Sequence, residues 1–84
     1  MYEIVVRRYD PVEGSVNWPC DSTTSLYLAT EARDAKARQL MASGFRGKRN
    51  AAGVWRLSKY VRDGLMPKRV MVKVFIRQMP TCLN

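Results

Sequence analysis

Histidine is absent from this 84-residue chain, which removes the usual general base near neutral pH and the commonest zinc ligand. Cysteine is nearly absent. Cys20 and Cys82 cannot close a tetrahedral metal site between them, and one pair is too few for a disulfide scaffold, so two reduced thiols are expected. The Gly-rich phosphate loops and the Gly-x-Ser-x-Gly elbow are missing. Carboxylates are scarce where a metal-dependent nuclease would need a cluster, because Asp63 is the only acid after residue 44. Glu3, Asp10 and Glu13 read as a balance for Arg7 and Arg8. The expectation is a non-enzymatic protein with no cofactor and no metal.

Long apolar runs are lacking as well. No stretch of eighteen apolar residues exists, so no spanning helix is expected. The start Met1-Tyr2-Glu3-Ile4 has neither the charge nor the apolar stretch of a signal peptide, which points to a cytoplasmic protein without membrane contact. Cys82 stands one position too close to the end for the prenylation signal. With 46% apolar residues and only four prolines and five glycines, residues 1–84 read as a single small basic domain.

What is abundant is positive charge, and it is unevenly placed. Ten of the fifteen basic residues fall between Arg46 and Arg77, whereas residues 1–44 hold five basic against six acidic residues. The first part sums to −1 and the rest to +9. Such a field attracts polyanions and destabilises the compact state by self-repulsion.

Local patterns predict an α+β fold, one helix packed on an antiparallel sheet of three to five strands in the order β-(β)-α-β-β. Tyr2 to Tyr9 is rich in β-branched and aromatic residues and stops at turn chemistry, a first strand. Ser15 to Thr24, with Pro19 and small polar residues, reads as a loop in which Val16, Asn17 and Trp18 offer an edge pairing and Trp18 folds back over the core. A helix ends at Gly44, a natural left-handed cap, with Phe45 free to contact back. Its start has two readings. From Ser25, the stripe Leu26, Ala29, Thr30, Arg33, Ala37, Leu40 and Met41 faces the core. Alternatively Leu26-Tyr27-Leu28 is a short strand and Thr30 the N-cap, with Glu31 and Asp34 near the positive helix end. The second is preferred. Its exposed charges are read as Glu31, Arg33, Asp34, Lys36 and Arg38.

Beyond Gly44, Arg46-Gly47-Lys48-Arg49-Asn50 reads as a basic loop, Val54 to Val61 as a strand broken at Arg62-Asp63-Gly64, and Arg69 to Met79 as the strongest strand. Val70, Val72, Val74 and Ile76 take one side of it and Met71, Lys73, Phe75 and Arg77 the other. Trp55, Leu57 and Val61 are expected inward, which turns Arg56, Ser58 and Tyr60 outward beside Lys73 and an exposed Phe75. Arg7 and Tyr9 would join them from the first strand, and Lys68-Arg69 would extend the patch.

Cations interleaved with rings suit nucleic acid, charges on phosphates and flat faces for bases. The candidate binding residues are therefore Arg46, Lys48, Arg49, Arg56, Tyr60, Lys73, Phe75 and Arg77. Nucleic acid, single-stranded by preference, is the first expected partner. The second expectation is a small inhibitor of the kind made by phages and mobile elements, anti-CRISPR-like in manner, that docks its basic face on an acidic protein surface or a surface built for nucleic acid. A ribosome-associated structural role is a third. The chain lacks the glycine-aromatic spacing and second helix of the RNA-recognition module, while its layout also occurs in proteins that place a two-stranded sheet in the major groove. An exposed sheet edge leaves monomer and homodimer both open.

Overall fold

The computed structural model describes residues 1–10 and 14–80. Glu13 and Cys82 lie outside these residues. Five antiparallel strands form one sheet and a single helix packs on one face of it, the α+β arrangement the patterns predict. In chain order the elements are β1 (Tyr2–Asp10), β2 (Gly14–Thr23), α1 (Leu26–Ala42), β3 (Arg46–Arg49), β4 (Trp55–Asp63) and β5 (Met66–Gln78). The order across the sheet is β2-β1-β5-β4-β3. The centre thus belongs to β5, the strand whose alternation was cleanest.

Period-two alternation sorts the strands into two faces. Ile4 and Val6 of β1, Leu57 of β4, and Val70, Val72 and Val74 of β5 pack under Ala29, Ala37 and Phe45. Each such aliphatic side chain contributes about 1.5–3 kcal/mol on burial. Trp55 and Ile76 are partly buried against the same core, and Trp55 and Leu57 point inward as expected.

Three local expectations are corrected. Residues 14–23 are a full edge strand, not a loop. An edge strand needs only one hydrogen-bonded partner and no apolar face, so Pro19 fits there. Cys20 is its extra residue, since Ile4 faces Asp21 and Val5 faces Pro19. Trp18 remains 47% exposed rather than folded over the core.

The helix begins at Leu26, so the preferred Thr30 cap does not occur. Both edges of β1 are taken, by β2 and β5, and no place is left for a strand at residues 26–28. Ser25, in extended backbone, is the N-cap and accepts from the Leu28 N–H at 3.3 Å. The Thr30 hydroxyl instead donates to the Leu26 carbonyl at 2.8 Å within the helix. Leu26, which the start at Ser25 placed in the core-facing stripe, is exposed. At the other end Gly44 has φ +104°, and the Gly44 and Phe45 N–H groups donate to Met41 and Leu40, the paired bonds of a Schellman cap.

The third correction concerns residues 46–49, which pair with β4 as the strand β3 rather than forming a loop.

Candidate nucleic-acid interface

The face opposite the helix is uncovered, and the register decides which side chains share it. Directly opposed residues of an antiparallel pair point to the same side. Lys48 lies opposite Arg56, Arg56 opposite Lys73, and Lys73 opposite Arg7. Four cations therefore form a row across β3, β4, β5 and β1, at about 4.8 Å per strand or roughly 14 Å in all. The same parity adds Arg46, Arg62, Arg69 and Arg77 to this face. Among the described side chains on it, Glu3 is the one acid, and it is paired with Arg77 at the far end of β5. No described carboxylate pairs with Arg46, Lys48, Arg56, Arg69 or Lys73.

Like charges placed directly opposite one another in a sheet are destabilising. In this row each cation faces the next, and an anion laid along it would relieve the repulsion. A shallow depression of about 520 Å³ lies beside the row, walled by Tyr9, Arg56, Ser58, Arg69, Met71 and Lys73. The field is felt by Tyr9. Hydrogen bonds from Lys73 and then Arg7 hold its hydroxyl below the ordinary tyrosine value, against the opposing effect of burial.

The aromatic side chains divide. Phe75, expected to be exposed, is half-buried. It sits opposite Val5, which is fully buried on this same face, and the Arg7 guanidinium lies 5.1 Å above its ring. Phe75 and Val5 make a small second core under Arg7. The Tyr9 ring is likewise covered, by the Lys73 ammonium at 5.3 Å. Tyr60 stands apart at 73% exposed, opposite Arg69. Of the three rings on this face, Tyr60 is the one open to a ligand.

Arg49 is separated from the other seven candidates. Lying opposite Trp55, it turns to the helix side, where Nη1 meets Asp34 Oδ2 at 3.3 Å and the guanidinium lies 5.9 Å from the Trp55 ring. Asp34 also accepts from Trp55 Nε1 at 2.9 Å and from Arg33 Nε at 3.1 Å. Burial opposes the ionisation of this carboxyl, but the Trp55 and Arg33 hydrogen bonds, with the charges of Arg33 and Arg49, outweigh it and keep its pKa below the usual value. Arg33, read as an exposed charge, is in fact buried, at 8% exposed. This network ties the helix to the β3–β4 end of the sheet. Lys59 is similarly engaged, over the Phe45 ring at 4.7 Å.

The remaining candidates, Arg46, Lys48, Arg56, Tyr60, Lys73, Phe75 and Arg77, share the open face with Arg7 and Tyr9. Arg62 was not among the residues singled out, although it follows Arg56, Ser58 and Tyr60 in the same alternation. Among the described residues no three His, Cys, Asp or Glu side chains group as metal ligands, and no helix is long and apolar enough to cross a membrane. No family model, curated protein or solved structure matches the chain.

Proposed function

We propose that this chain is a non-enzymatic nucleic-acid-binding protein that lays its open sheet face against a phosphate backbone. The observation that carries this reading is the row Lys48, Arg56, Lys73, Arg7, with no acid between its members. A duplex backbone presents a continuous line of phosphates, and a row of roughly 14 Å spans several of them. Arg46 and Arg69 widen the track on either side. Since cations already cover Phe75 and Tyr9, the charges supply affinity, and base stacking is left to Tyr60.

Docking on an acidic protein uses the same cations and is separated from this reading by the ligand itself. Fluorescence anisotropy of labelled single-stranded and duplex oligonucleotides, at about 50 and 200 mM salt, makes the test. Sub-micromolar binding at the lower salt, weakened by Arg56→Gln, is the expected result. Absence of binding to either form at the lower salt would transfer the basic face to a protein partner.

A further inference from the structure

The two central strands outrun the rest of the sheet. β1 leaves β5 at the rung joining Tyr9 and Met71, and β3 leaves β4 at Ser58, which faces the same Met71. Among the described residues, five further rungs, from Lys59 opposite Val70 to Asp63 opposite Met66, pair with no third strand, and only the first of them still packs on the helix side, with Val70 in the core and Lys59 over Phe45. At about 3.4 Å per residue the four rungs beyond Val70 carry the ribbon roughly 14 Å past the core, in keeping with a molecule measuring 53 × 24 × 20 Å.

Its tip departs from ordinary turn chemistry. Gly64, with φ +68°, supplies the backbone that a two-residue hairpin loop requires. The next residue, where such loops favour a small polar side chain, is Leu65, which is 99% exposed, and Met66 after it is 75% exposed. Behind this apolar point, Arg62 and Arg69 continue the parity of Arg56 and Lys73, so the ribbon prolongs the basic face beyond the sheet.

We propose that the β4–β5 ribbon is an arm that wedges Leu65, the residue at its turn, between base pairs of a duplex lying on the open face, unstacking a step and bending the helix axis. This rests on the nucleic-acid reading given above and narrows the ligand to duplex. An apolar point next to Asp63, with Arg62 and Arg69 behind it, fits a polyanion with an apolar interior, and stacked base pairs behind phosphates are that. An anionic bilayer shares the chemistry but not the shape. Met by the tip end-on, a planar membrane would leave the basic face perpendicular to it and its cation row unused. A flexible pyrimidine–purine step is the easiest to open, so duplexes with a central TA step should bind several-fold tighter than those with GC.

The test uses duplexes of about 20 base pairs, dye-labelled at both ends, with 2-aminopurine at the central step. The wild-type protein should raise energy transfer between the ends and raise 2-aminopurine fluorescence several-fold. Leu65→Ser/Met66→Ser, at two exposed positions, should melt like the wild type and keep the salt dependence of binding while leaving the duplex straight and stacked. A bound but unbent duplex with wild-type protein, or equal bending by the tip variant, overturns the wedge and leaves the basic-face reading intact. Absence of binding to any oligonucleotide removes both. Binding to phosphatidylserine vesicles that the tip substitutions abolish, with the duplex signals unchanged, would assign the tip to a membrane instead.

Discussion

Replacing Arg56 and Lys73 with glutamine tests the cation row where it is most crowded. Each phosphate contact on a duplex adds about −0.9 to the slope of log affinity against log salt, so four contacts give about −3.6. Between about 50 and 200 mM, a fourfold change, that slope weakens binding roughly 150-fold. Removing two contacts should bring the slope to about −1.8 and the loss over the same range to roughly 12-fold. Arg38→Gln, on the exposed side of the helix, is the matched control and should leave the slope alone. Stability supplies the second readout. Arg56 faces Lys48 on one side and Lys73 on the other, and relief of two opposed like-charge pairs should make Arg56→Gln more stable by about 0.5 kcal/mol. A structural arginine would behave in the opposite sense. Anisotropy at four salt concentrations and urea melts of the same proteins settle it. Equal slopes for the double variant and the Arg38 control, or a loss of stability in Arg56→Gln, would refute the reasoning.

Phe75→Ala should cost about 3 kcal/mol in urea unfolding, the low end for loss of a packed phenylalanine, because Val5 loses its packing partner and Arg7 the ring beneath it. Tyr60→Ala should leave the melt unchanged and cost about 1–3 kcal/mol of single-strand affinity by anisotropy; equal effects on both readouts would contradict the division of the rings. Ser25→Ala should lower stability by about 1 kcal/mol, whereas Thr30→Ala should not, the reverse of what a helix starting at Thr30 requires. Because the folded pKa of Asp34 is lowered, its stabilisation is fully present above the unfolded carboxylate value and is lost as pH falls through the folded one. Asp34→Asn should therefore flatten the acid side of a stability-against-pH profile, and an unchanged acid limb would remove Asp34 from that role.

How far the sequence could be read depended on the range of the interaction involved. Gly44 as a left-handed cap and the alternation of β5 are local and were legible. The helix start was not, because the local β-propensity of Leu26-Tyr27-Leu28 is overridden by a distant fact, that β2 and β5 have already occupied both edges of β1. Nor was β2, whose exposed residues carry no alternating apolar signal. Arg49 looked equivalent to Lys48 until Asp34, fifteen positions away, claimed it. The outward parity of Arg7, Arg56 and Lys73 could be read strand by strand, but their alignment into one row is set by register, which no single strand contains.

The distribution of acids completes the argument for function. Asp34 on the helix side gathers Arg33, Arg49 and the Trp55 indole, so two cations there are engaged by one carboxylate and serve as fasteners between helix and sheet. On the open side, Glu3 holds Arg77 at one end and leaves Lys48, Arg56 and Lys73 directly opposite one another across the strands. A fold that needed only solubility would be served by cations spread over its surface, without the cost of placing like charges opposite one another. On the proposed reading, concentrating them on one uncovered face, in register and continued along the ribbon, costs the unliganded chain stability that phosphate contacts would offset. The gain in stability from Arg56→Gln and the loss in affinity should therefore appear in the same molecule.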